Sequence, residues 1–102
     1  MQKQMLNELQ EERIAHTTIQ QEDGTEWLLE YYLQTRHRPE ESTIYGIRVD
    51  KSTLDGVLID REGTFVSECR DSVLAMVTAF AKGTVPPSVL YEMVDDWDFC
   101  LG

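Results

Sequence analysis

Four acidic residues crowd the end of the chain. Glu92, Asp95, Asp96 and Asp98 stand in a segment, residues 85 to 102, that has no Lys or Arg. On a helix, Glu92 and Asp95 share a face, and so do Asp95 and Asp98. Oxygen ligands in such an arrangement could hold a divalent cation. A calcium loop of the familiar type alternates acids around a glycine turn, and no such loop is present. Negative charge near a helix C-terminus is also weakly opposed by the helix dipole. The spacing therefore points to a solvated face or to a contact patch for a basic partner surface, with Trp97 among the acids as the anchoring aromatic.

Cys69 is the second candidate. At the start of an expected helix, beside Arg70, its thiol would be drawn toward thiolate. A cysteine nucleophile also needs a base, and the chain has only His16 and His37, on expected strands or turns. Nothing in the spacing brings either to Cys69, so an inert thiol is the simpler reading. Cys69 and Cys100 fall in separate expected helices, with no histidine at metal-ligand spacing from either, and read as two reduced thiols. Arg36-His37-Arg38 could grip a phosphate or a carboxylate, although such a run at a strand end is more simply solvated. There is no phosphate loop, nucleotide fingerprint or Ser-His-Asp order. The residues assign no catalytic role, cofactor or metal.

The positioning elements follow from periodicity. From Ser67 to Leu101 the chain reads as two amphipathic helices joined by Lys82-Gly83-Thr84-Val85-Pro86-Pro87. The first places Val73, Leu74, Val77, Phe80 and Ala81 on one stripe, and the second Val89, Leu90, Met93, Val94 and Trp97. Ser67 suits an N-cap, Gly83 a helix end and Pro87 a helix start. Neither helix is stable alone at this length, so both stripes need a surface to cover.

The preceding residues supply a sheet. Residues 13 to 20 are rich in β-branched side chains. Asp23-Gly24 is a hairpin turn signal. Residues 26 to 38 alternate with Trp27, Leu29, Tyr31, Leu33 and Thr35 on one face. Tyr31-Tyr32 puts one ring on each face. Residues 43 to 50 form a further strand, in which Gly46 signals a bulge or the close approach of another backbone. A turn at residues 51 to 53, a strand over residues 54 to 60 with Val57 and Ile59 inward, and a turn at residues 61 to 63 complete the pattern. Residues 2 to 11 suit a short or frayed helix carrying Met5, Leu6 and Leu9. The fold class is α+β: an antiparallel sheet of three to four strands with two C-terminal amphipathic helices packed on one face, in a single domain spanning residues 1–102.

Composition narrows the function classes. A net charge of −10 argues against direct contact with a nucleic-acid backbone or an anionic membrane. No apolar run approaches the ~20 residues that span a bilayer. The first residues lack the apolar centre of a signal peptide, so a cytoplasmic location is expected.

Several short motifs carry a resemblance. Tyr45-Gly46-Ile47, Val66-Ser67, the helix through Val73 and Val77, Val85-Pro86-Pro87 and the stretch from Leu90 to Trp97 resemble a group of small clostridial proteins, domain of unknown function 6514, over roughly residues 27 to 99. That family's closing helix has a Ser-Pro start, a His-Leu pair and a Val-Glu-Asp-aromatic end. Here Pro86-Pro87 replaces Ser-Pro, Val89-Leu90 replaces His-Leu, and Met93-Val94-Asp95-Asp96-Trp97 matches the end. No role attached to the His passes to Val89. The resemblance implies a small cytoplasmic protein of Firmicutes with a sheet and two helices, and it brings no activity.

The first expectation for function is a non-enzymatic protein-interaction or regulatory module. It would use Glu92, Asp95, Asp96, Trp97 and Asp98 against a partner with a basic surface, or a sheet edge for self-association as a homodimer. Two alternatives stand beside it: a small thiol-reactive enzyme or sensor using Cys69, and an acidic mimic of nucleic acid that occupies a basic groove.

Overall fold

Two Asp-Gly turns and one longer loop fold the first two thirds of the chain into an antiparallel meander. The computed structural model describes residues 9–97. Its strands β1 (Leu9–Gln20), β2 (Glu26–Arg36), β3 (Ile44–Thr53) and β4 (Leu58–Ser67) lie in the order β1-β2-β3-β4. Helix α1 (Arg70–Lys82), a short 3-10 turn (Pro87–Val89) and helix α2 (Leu90–Asp96) follow. The α+β sheet-then-helices architecture is therefore the one expected, with four strands.

The first hairpin closes where the sequence placed it. Gly24 takes φ +90°, its N–H donates to the Gln21 carbonyl at 2.9 Å, and the Asp23 carboxylate accepts from the Thr25 N–H at 2.9 Å. An Asp followed by a residue free to adopt positive φ suits this turn. Asp55-Gly56 does the same one hairpin later, with Gly56 at φ +98°. Thr53 anchors that turn: its hydroxyl accepts from the Val57 N–H at 2.9 Å and donates to the Asp55 carboxylate.

This second Asp-Gly turn corrects the strand boundaries. Residues 51 to 53 end β3 instead of turning, residues 54 to 57 make the turn, and residues 61 to 63 lie inside β4. Val57 and Ile59, expected to face inward, are 56% and 49% exposed. The N-terminal expectation also changes, because residues 9 to 11 belong to β1; residues 2 to 8 of the expected helix lie outside the described residues. Pairing to β2 holds this start of β1, with Gln34 donating to Glu11 at 3.0 Å and Arg13 bonded to Glu30 at 2.8 Å.

Register sorts the side chains onto two faces. Tyr31 lies opposite Val49 and Leu33 opposite Ile47. With Leu29 these residues form one face and are fully or almost fully buried. They join Val73, Met76, Val77 and Phe80 of α1, together with Val85 and Leu90, in one apolar cluster. Met76 is an addition to the helix stripe read from sequence. Leu74 is half-buried, and Met93, assigned to the second stripe, is exposed.

Pro87 begins the next helical segment and Gly83 closes α1, as expected, but the head of α1 is set differently. Cys69, not Ser67, is the N-cap of α1, and the Ser67 hydroxyl accepts from the Cys69 N–H at 3.0 Å. At the other end Gly83 is the C-cap, but the left-handed residue is Thr84, at φ 52°. The Thr84 N–H donates to Ala81 and the Val85 N–H to Phe80. These are the two bonds that close a helix at a left-handed residue, and they turn the Val85 carbonyl toward the sheet.

There the buried Tyr31 hydroxyl donates to the Val85 carbonyl at 2.9 Å. Burial pushes the Tyr31 phenol from its ordinary 10.0 up to about 12. A folded-state value above the unfolded one means that the contribution is complete below pH 10 and is lost as pH rises toward 12. Unfolding free energy is therefore expected to fall over that window by up to about 2–3 kcal/mol from this group. Tyr31→Phe, already weakened at neutral pH by an unpaired carbonyl (about 1–3 kcal/mol), would lack this part of the alkaline loss. Urea unfolding of both proteins on either side of the window checks it, and equal alkaline losses would refute it.

Candidate functional site

A cross-strand network of charged and polar side chains lies on the sheet face opposite the apolar cluster. Register puts Glu11, Gln34, Arg48, Asp50 and Arg61 on that face across all four strands: Glu11 opposite Gln34, Tyr32 opposite Arg48, Asp50 opposite Arg61. Asp50, only 4% exposed, accepts two bonds from each of two guanidinium groups. Arg48 reaches it at 3.1 Å through both Nε and Nη2, and Arg61 at 2.9 and 3.0 Å. Paired bonds from planar guanidinium to carboxylate fix orientation as well as charge. Arg48 also donates to Glu11 and lies 4.0 Å over the Tyr32 ring.

The charges answer one another. Partial burial of Glu11 is outweighed by hydrogen bonds from Gln34 and Arg48 and by the charges of Arg48 and Arg61, which hold its carboxyl below the usual 4.5. Hydrogen bonding to Asp50 holds the Arg61 guanidinium above its ordinary value. Next to this network is a shallow open depression of about 320 Å³, whose lining includes Arg36, Arg48, Arg61 and Phe65. Sequence reasoning missed Arg48, Asp50 and Arg61. The visible signal was two opposite charges at alternate positions, Arg48 and Asp50, in an otherwise apolar strand; Arg61 was hidden by its assignment to a turn.

The residues singled out from sequence are scattered. Arg36-His37-Arg38 is divided: Arg36 ends β2, His37 bonds Thr43 at 3.0 Å, and Arg38 bonds the Ser42 carbonyl, Glu41 and Glu68. Cys69 is exposed at the head of α1. Hydrogen bonds from the Ser72 hydroxyl (3.3 Å) and from first-turn amides lower its thiol pKa. Tyr31 and Tyr32 do face opposite ways, one into the core and one beneath Arg48.

Glu92, Asp95 and Asp96 are exposed on α2, and Asp98 lies outside the described residues, as does Cys100. Trp97, the C-cap of α2, is half-buried with its ring edge-on to Phe80, centroids 5.7 Å apart. An open groove of about 310 Å³ runs there, lined by Ala79, Phe80, Val85, Met93 and Trp97, with Asp96 among its walls. Among the described residues no three His, Cys, Asp or Glu side chains gather to hold a metal ion, and no helix is long and apolar enough to cross a membrane.

A four-stranded antiparallel meander followed by two helices defines a small α+β protein. The chain belongs to the family of unknown function DUF6514, whose model matches residues 10–98. The match reaches back to β1, further than the span from residue 27 that the sequence motifs carried. No curated protein and no solved structure matches the chain.

Proposed function

We propose that this chain is a cytoplasmic, non-enzymatic protein-binding module, with both helices on one face of its sheet. It grips a partner segment that pairs an apolar side chain with Lys or Arg. The observation that carries this reading is the groove between the end of α1 and α2, apolar along Phe80, Val85, Met93 and Trp97 and bordered by Asp96. Tyr91 and Met93 are 50% and 37% exposed on the same short helix as Glu92, Asp95 and Asp96. Apolar anchors rimmed by like charges suit a contact surface, with the anchors supplying affinity and the charges supplying orientation and on-rate.

Self-association through a sheet edge is less well supported. The β1 edge is interrupted at Ile14, and β4 breaks register at Ile59 and Val66. Bulges of this kind blunt an edge against pairing with another chain.

Affinity capture from lysate of the source organism at low salt tests the reading. Wild type is run beside Asp95→Asn/Asp96→Asn and beside Met93→Glu. A protein held by wild type and lost by both variants is the expected result. The same proteins retained by all three would end the claim for this groove, and so would nothing retained by any.

A further inference from the structure

The arginine depression carries a second, independent assignment. Of the three arginines lining it, two are committed, Arg48 to Asp50 and Glu11, and Arg61 to Asp50. Arg36 is different. Its guanidinium has no hydrogen bond or ion pair among the described residues, and it lies 4.6 Å over the Phe65 ring. Its Nε is buried without an acceptor. A buried donor left unpaired is costly, and a guanidinium whose partner among the described residues is a stacked ring can turn to meet an incoming acceptor.

We propose that Arg36 is the anchor of a carboxylate-binding site on this sheet face, taking a monocarboxylate attached to an apolar group. Charge selects the ligand. Arg36, Arg48 and Arg61 against Glu11 and Asp50 leave one positive charge, in a chain whose net charge is −10. A single carboxylate neutralises it, whereas a phosphate dianion would leave the cluster with a net negative charge. A planar carboxylate also matches the guanidinium fork in a way that an ammonium cannot reproduce. The walls select the rest: Leu9 and Phe65 line the same depression and give an apolar substituent something to cover. The carboxylate could belong to a free organic acid or to the C-terminus of a polypeptide.

The test is a titration of the full chain followed by ¹H–¹⁵N spectra of the arginine Nε–H groups and backbone amides. The probes are benzoate, an N-acetylated peptide ending in a free C-terminal leucine, the same peptide as its C-terminal amide, and inorganic phosphate. Benzoate or the free-acid peptide is expected to shift the Arg36 Nε–H signal and the amides around Phe65. The amide and phosphate are expected to bind at least tenfold more weakly.

Arg36→Lys is expected to lose binding by tenfold or more while keeping the amide spectrum of α1. If that variant does not fold, Phe65→Leu, which removes the ring under the guanidinium, is expected to weaken binding severalfold. Tighter binding of the peptide than of benzoate assigns the site to a polypeptide C-terminus, and the reverse assigns it to a free acid. Equal binding of acid and amide, phosphate binding as tight as the acids, no binding by any probe at millimolar concentration, or unchanged affinity in the variant that folds overturns the assignment.

Discussion

Gly46→Ala is expected to cost more than ~3 kcal/mol, or to prevent folding, although it adds one methyl group. A Cβ at Gly46 would stand 2.2 Å from the Thr64 carbonyl oxygen, 2.7 Å from the Phe65 Cα and 2.9 Å from the Thr64 carbonyl carbon. All three are backbone atoms of β4, so no rotamer change relieves the clash. The strand itself must move, and with it the pairing of Gly46 to Phe65 and of Ile47 to Thr64. Overpacking a well-packed site usually costs about 1–3 kcal/mol, and a backbone obstacle places this case at or above the top of that range. Gly63→Ala is the graded comparison, because its Cβ would meet the Ile47 carbonyl at 3.1 Å and the Arg48 side chain at 3.3 Å. Thermal unfolding reads the difference: a drop of more than ~10 °C for Gly46→Ala and a clearly smaller one for Gly63→Ala. Equal small drops would show that β4 can yield.

Removing Asp50 should be nearly as damaging. Asp50→Ala withdraws one carboxylate from two arginines at once and leaves Arg48, whose side chain is 13% exposed, facing Arg61 without the charge between them. Breaking a fully buried pair from one side costs about 3–5 kcal/mol. Arg61 is half exposed and can turn to water, which lowers the expectation to about 2–3 kcal/mol. Much of that loss is the uncompensated Arg48, so Arg48→Met in the Asp50→Ala background should recover part of it. Urea denaturation of the single and double variants decides the matter; a loss below ~1 kcal/mol for Asp50→Ala would show that Arg48 finds solvent or Glu11 instead.

The fold was legible where local chemistry and period agreed. The β2 alternation from Trp27 to Thr35, the Asp23-Gly24 turn, a bulge or close backbone approach at Gly46, and Val73, Val77 and Phe80 of the α1 stripe were all readable from the sequence. The β3–β4 boundary was not. Val57 and Ile59 are β-branched and apolar and read as an inward strand, but Asp55-Gly56 turns the chain just before them and leaves both exposed. The charged face was illegible for another reason. Arg48, Asp50, Arg61 and Glu11 come from three strands, and only cross-strand register brings them together. A single sequence shows the alternation within a strand and not which residue stands opposite.

Among the described residues, each strand of the meander pairs only with strands adjacent to it in sequence. The closures that build the sheet are therefore short, spanning residues 21–25, 37–43 and 54–57. Loop-closure entropy grows with the logarithm of loop length, so ordering the sheet is divided into three small steps, each repaid by its own ladder of hydrogen bonds. The helix layer is joined over longer distances: the buried bond from Tyr31 to the Val85 carbonyl links residues 54 positions apart. Its geometry depends on the Thr84 turn, which aims the Val85 carbonyl at the sheet. By topology the hairpins are the local part of the fold, and the clasp between β2 and the end of α1, with the apolar cluster around it, is the long-range part that ties sheet to helix.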